Sequence, residues 1–143
     1  YGVMPEALAE QLPRLMINSV SCTATFVQLA GLQALEGDQS PVERMVAEFR
    51  RRRDLIVEGL NRIPGVRWHT PQGAFYVFPR FSAAGRSSQE IADLLLEEAG
   101  VAVLPGTAFG CYGEGHLRLS YATSIDHIRE AFKRMEIHFR KRS

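Results

Sequence analysis

The stretch GEGHLRLSYATS, residues 113–124, decides how this chain is read. Leu117, Leu119 and Tyr121 alternate with His116, Arg118 and Ser120, and Thr123 or Ser124 stands ready to cap a following helix. Alternation with period two is the pattern of a strand that buries one face, so Arg118 falls on the polar face. Two readings of it are open. An arginine on a polar strand face is ordinarily a solvated residue. It is also the side chain best suited to grip a carboxylate, because its rigid, always charged fork donates two parallel hydrogen bonds to two oxygens.

Working outward, Ile128, Ala131, Phe132, Met135 and Phe139 form the apolar stripe of a last helix. Its tail RKRS, residues 140–143, places positive charge where the helix dipole favours it and needs no partner to explain it. Upstream, VAV at 101–103 reads as a short strand leading into a loop with Pro105, Gly106 and Gly110. Ser87 with Glu90 forms a capping box for a helix whose Ile91, Leu94, Leu95 and Ala99 share a face and which stops at Gly100. Before it, IPGV (63–66) turns into a strand over 66–69, and TPQG (70–73) turns again into AFYVFP (74–79), which together read as a hairpin.

Ser40, Pro41 and Glu43 mark a second capping box, with proline at the first helical position. From it Val42, Met45, Val46, Phe49, Ile56 and Leu60 predict one buried stripe along a helix of about 41–61, long enough to join two bodies. The segment 24–37, with Phe26, Leu29, Ala30, Gln33 and Ala34 near one face and Gly37 as its stop, predicts another helix. A short helix starts at Pro5 and is expected to end by Pro13. The order helix, helix, strand, strand, helix, strand, strand, helix gives an α+β fold, helices packed on a small mixed or antiparallel sheet.

Composition narrows the function. Seventeen basic and sixteen acidic residues leave a net charge near +1, which supplies no general field for nucleic acid or an anionic membrane. The run Arg50 to Arg53 spreads around most of a helix circumference, with Glu43, Glu48, Asp54 and Glu58 nearby, and reads as a solvated face. Cys22 and Cys111 belong to no CxxC or zinc spacing; both read as reduced thiols of a cytoplasmic protein, Cys111 as a small buried hydrophobe. His69, His116, His127 and His138 lack a metal-like spacing, and no metal site is expected. Glycines crowd PGTAFGCYGEG (105–115), but a phosphate loop needs a helix N-terminus after them; a strand follows, so a mobile connection between strands is expected.

The ordered segments FRRRRDLIVEGL (49–60), PQGAFYVFP (71–79), GVAVLPGTAFG (100–110) and GHLRLSYATS (115–124) resemble the C-terminal part of pyridoxal-phosphate-dependent class I aminotransferases of the aspartate aminotransferase family. The resemblance covers essentially the whole chain. It implies fold type I, with residues 1–37 as the tail of the large cofactor-binding domain and 38–143 as the small C-terminal domain including the connecting helix. YGVMP (1–5) resembles the end of the strand just after the family's cofactor lysine. Arg118 then matches the arginine that binds the substrate α-carboxylate. Phe75 and Tyr76 match a segment with an aromatic at the mouth of the substrate pocket, although plain strand packing explains them equally well. In NSVSCT (18–23), Asn18, Ser21 and Cys22 match a stretch that approaches the neighbouring subunit's active site in the family's homodimers.

One departure is informative. The family's chemistry needs a lysine for the Schiff base and for proton transfer, and this chain has only Lys133 and Lys141, neither at the matching position. The expectation is therefore a fragment of an enzyme that moves an amino group between an amino acid and a 2-oxo acid. The fragment would anchor substrate, hold no catalytic or cofactor-binding residue, and bind no pyridoxal phosphate alone. A related fold type I β-lyase or synthase, or a free-standing α+β binding module, stays open.

Overall fold

A computed structural model of the chain describes residues 2–82 and 85–140. Tyr1, Lys141 and most of the basic tail thus lie outside the described residues. Two compact units part between Pro41 and Val42.

The first unit is helical: α1 (Glu6–Ala9), α2 (Leu12–Ser19) and α3 (Thr25–Glu36). The helix expected from Pro5 runs over Glu6–Ala9 and stops before Pro13, as expected. A second helix, α2, was not expected; Pro13 sits in its first turn, where its missing N–H leaves no hydrogen bond unmade. Helix α3 ends before Gly37 as expected. None of the three helices buries a residue, so Phe26, Leu29 and Leu35 stand exposed.

The second unit holds the core. Its elements are α4 (Ser40–Asn61, which starts two residues before the unit boundary), β1 (Val66–Arg67), β2 (Tyr76–Val77), β3 (Arg80–Phe81), α5 (Ser88–Ala99), β4 (Leu104–Pro105), β5 (Leu117–Ser120) and α6 (Ile125–Arg140). Strands β2, β5 and β4 form one antiparallel sheet with β5 in the middle; β1 and β3 form a second pair. Helices α4, α5 and α6 cover the apolar side through Ile56, Leu60, Leu95, Phe132 and Met135, against Val77, Leu117 and Leu119. This is the α+β fold the sequence predicts.

Capping follows the sequence closely at α5. Ser87 Oγ accepts from the Glu90 N–H, while the Glu90 carboxylate accepts from the Ser87 N–H at 2.7 Å. Gly100, at φ 62°, closes the helix in the left-handed region, and the Val101 N–H reaches back to the Leu95 carbonyl. Ser124 caps α6 by accepting from the His127 N–H. At the start of α4, Asp38 accepts from both the Ser40 hydroxyl (2.6 Å) and N–H (2.9 Å), which holds its carboxyl below the usual range.

The hairpin expected between 66–69 and 74–79 does not form. Val66 and Arg67 pair with Phe81 and Arg80, beyond Pro79, and Tyr76 and Val77 pair with Ser120 and Leu119. Pro79 divides the run: it offers no N–H to a ladder, but its carbonyl accepts from Leu117 N–H at 3.0 Å. The strand expected at VAV lies one step later, at Leu104–Pro105, paired to Arg118 and Leu117. The buried stripe of α4 is also shorter than expected. Ile56, Gly59 and Leu60 are buried and Phe49 partly so, whereas Val42, Met45 and Val46 are exposed.

Candidate functional site

Strand β5 positions Arg118. Leu117 and Leu119 are buried beneath it, so the opposite face carries His116, Arg118 and Ser120 outward. Tyr76, cross-strand from Ser120, shares that face. The Arg118 guanidinium carbon sits 4.3 Å from the Tyr76 ring centroid and 4.1 Å from that of Phe109. Two rings thus flank one half-buried cation. Each such contact favours the charged planar group. Among the described residues no carboxylate pairs with Arg118.

Phe109 reaches Arg118 from a loop of two 3₁₀ turns, Gly106–Phe109 and Cys111–Gly113. The loop is stitched to the sheet: the Gly106 N–H donates to the His116 carbonyl at 2.7 Å, and the His116 N–H to the Gly113 carbonyl at 3.0 Å. Gly106 and Gly113 meet backbone to backbone, so closely that a Cβ on either would collide with the other's main chain. These glycines therefore close a packed loop rather than loosen a mobile one. Glu114 reinforces it, accepting from the Ser88 N–H (2.7 Å), the Ser88 hydroxyl (2.9 Å) and its own neighbour's Gly115 N–H (3.0 Å). Those donors, the Ser88 N–H foremost, hold its carboxyl below the ordinary value of 4.5.

The GAFY segment is tied to the same strand. The Phe75 carbonyl accepts from Tyr121 N–H at 2.9 Å and the Ala74 carbonyl from Tyr121 Oη at 3.1 Å. Burial pushes the Tyr121 phenol up from its usual value. Phe75 and Tyr76 touch each other but differ in their other neighbours. Tyr76 stacks on Arg118, whereas Phe75 packs on Phe49 at 5.9 Å and Tyr76 at 4.4 Å.

Asn18, Ser21 and Cys22 belong to the helical unit. Asn18 donates to the Arg14 carbonyl at 2.7 Å, Ser21 has φ 62°, and Cys22 is exposed. Cys111 is exposed as well, against the buried position expected of it, because it lies on the outer 3₁₀ turn. The arginine run behaves as read: Arg51 and Arg52 pair with Glu48 at 3.2 and 2.8 Å, and Arg53 with Asp54 at 2.7 Å. Lys133 is exposed on α6. No group of three His, Cys, Asp or Glu side chains among the described residues could hold a metal ion, and no helix among them is long and apolar enough to cross a membrane. Sequence reasoning missed Phe109; an aromatic inside a glycine-rich loop carries no periodic signal that would place it on Arg118.

A model of the family described as aminotransferase class I and II matches residues 1–135. An aspartate aminotransferase from Pyrococcus horikoshii is 43% identical over 138 residues, and an aromatic-amino-acid aminotransferase from Thermococcus litoralis 43% identical over 134. These alignments take in 95% and 92% of this chain but 35% and 34% of the relatives. The crystal structure of an aromatic aminotransferase from Pyrococcus horikoshii superposes with a TM-score of 0.89 at 39% identity, over 98% of this chain and 38% of that one. The chain therefore spans about a third of the length of the proteins it matches.

Proposed function

The chain belongs to the aminotransferase class I and II family, and from that we propose that it is the substrate-anchoring part of an enzyme that exchanges an amino group between an amino acid and a 2-oxo acid. The observation that carries the reading is Arg118: a half-buried guanidinium 4.3 Å from the Tyr76 ring centroid and 4.1 Å from that of Phe109, with no carboxylate of its own among the described residues. A half-buried cation without a partner loses part of its hydration with nothing to replace it. A substrate carboxylate supplies the missing charge through two charge-assisted hydrogen bonds. Amino acid and 2-oxo acid both carry that α-carboxylate, so one grip serves both directions of the exchange. Tyr76 and Phe109 keep water from the faces of the guanidinium and fix its plane, and Phe75 supports Tyr76 from behind.

Pyridoxal phosphate is the cofactor the family implies. The residues of this chain do not fit it: Lys133 is a solvent-facing helix residue, Lys141 lies outside the described residues, and no lysine stands near Arg118 in the sheet. No step is therefore derived through the cofactor. In this reading the chain holds no catalytic residue and is inert by itself. Residues 1–37 belong to a large domain and 38–143 to a small one. Asn18, Ser21 and Cys22 face the active site of a second subunit of a cytoplasmic homodimer.

Replacing Arg118 in the full-length protein tests the proposal. Charged hydrogen bonds of this kind contribute about 1.5–3 kcal/mol each, so Arg118→Leu is expected to lower kcat/KM for the amino donor by about 10²–10⁴-fold. Arg118→Lys, which keeps the charge but not the fork, should fall between. Undiminished turnover in Arg118→Leu would end the proposal.

A further inference from the structure

A second cationic feature lies outside the Arg118 clamp, where the sheet's outward face meets β1. Arg67 and Arg80 are direct cross-strand partners, and Arg80 is in turn bridged to His116. Residues opposite each other in an antiparallel pair project to the same face, with Cβ atoms about 4.5–5.5 Å apart, and like charges so placed repel. Val66 and Phe81 are buried while Arg67 and Arg80 are exposed, so both guanidinium stems rise on one side. They line a groove of about 550 Å³ with Val66, Trp68, His69, Phe78 and His116.

That lining contains no carboxylate. The nearest acidic residue in sequence, Glu114, is committed to Ser88 and Gly115. Two fixed positive charges therefore stand side by side with nothing in the groove to neutralise them. The remaining walls are flat. Phe78 and the His116 ring stack at 5.1 Å with only 8° between their planes, and Trp68, which also lines the groove, is partly buried against the core. His116 Nδ1 is turned to the Glu114 carbonyl at 3.1 Å, which fixes the ring where it lines the groove.

We propose that this groove binds an aryl or nucleoside monophosphate: a dianionic phosphate across Arg67 and Arg80, its planar ring against Trp68 and the Phe78–His116 stack. The charge matches, since a phosphate monoester carries about −1.5 to −2 at neutral pH and offers three acceptor oxygens to guanidinium forks. Planar rings add stacking, and each side wall has one to give. The site uses none of the residues that hold the substrate carboxylate, so its test does not depend on amino transfer.

The test uses the full-length protein and follows Trp68 emission, isolated as the difference from Trp68→Phe, during titration with AMP, phenyl phosphate and inorganic phosphate. AMP and phenyl phosphate should give a saturable one-site change, and inorganic phosphate should bind at least about tenfold more weakly because it lacks the ring. Arg67→Gln and Arg80→Gln should each weaken AMP at least about tenfold, whereas Arg50→Gln, an exposed arginine on α4, should leave it unchanged. Absence of a saturable Trp68 response overturns the proposal, as does equal weakening by Arg50→Gln, which would mean diffuse electrostatic attraction. Inorganic phosphate binding as tightly as AMP would overturn the assignment of the ring.

Discussion

Replacing Gly113 with alanine should lower stability and, if Arg118 grips a carboxylate as proposed, carboxylate binding as well. Gly113 is not in the left-handed region, so alanine suits its backbone; the cost comes from contact alone. Its new Cβ would collide with the Gly106 carbonyl, a main-chain atom that cannot rotate away. Gly106 is itself held, its N–H on the His116 carbonyl and its own Cβ position only 2.8 Å from that oxygen. The two 3₁₀ turns must part by roughly an ångström or more to reach an ordinary contact of about 3.5 Å. Overpacking of this kind costs about 1–3 kcal/mol. Phe109 rides on the first of those turns with its ring on Arg118, and losing that cation–π contact is worth about 0.5–2 kcal/mol, or about 2- to 30-fold in carboxylate binding. Urea denaturation and the Kd of a non-reacting monocarboxylate on the full-length protein measure the two effects. Gly73→Ala is the control: its Cβ meets nothing within 4 Å, and its effect should stay within about 0.5 kcal/mol. If Gly113→Ala were no less stable than Gly73→Ala, the backbone contact would not be as tight as described. Were stability lost with carboxylate affinity intact, Phe109 would not be part of the clamp.

Two further outcomes are expected. Gly59 lies inside α4, where alanine would gain about 1 kcal/mol in helix propensity. Its Cβ, however, would fall among the ring atoms of the buried Phe132, and the resulting overpacking of about 1–3 kcal/mol should dominate; a higher urea midpoint for Gly59→Ala would refute this packing. Glu114 is held below its ordinary value of 4.5 by the Ser88 and Gly115 donors. A depressed carboxyl stabilises the fold above the unfolded value, and that contribution is lost as pH falls through the folded one. The wild-type stability curve should therefore drop more steeply below pH 4.5 than that of Glu114→Gln, and parallel acid limbs in a pH series of denaturation curves would count against the Ser88–Glu114 link.

How much of this was legible beforehand differs by element. Helix α5 was readable at both ends, because Ser87, Glu90 and Gly100 act on the backbone within one turn of themselves. The alternation around Arg118 was equally plain, since a strand's period of two is local geometry. Pro13 hid the start of α2, because proline in a first turn and proline as a breaker look alike without knowing where the helix begins. The α4 stripe misled differently: periodicity tells which residues share a face, not how far along that face another element lies.

The amino-acid order by itself determined the α+β class, the caps of α5 and α6 and the face on which Arg118 sits, all of which follow from steric and hydrogen-bonding rules acting over a few residues. Only the tertiary structure decided that β1 pairs with β3 beyond Pro79, that Phe109 closes over Arg118, and that Arg67 stands beside Arg80. Strands of two residues carry too little pattern to specify a partner. Their register is settled by which side chains the helices bury, and that is a property of the folded core as a whole.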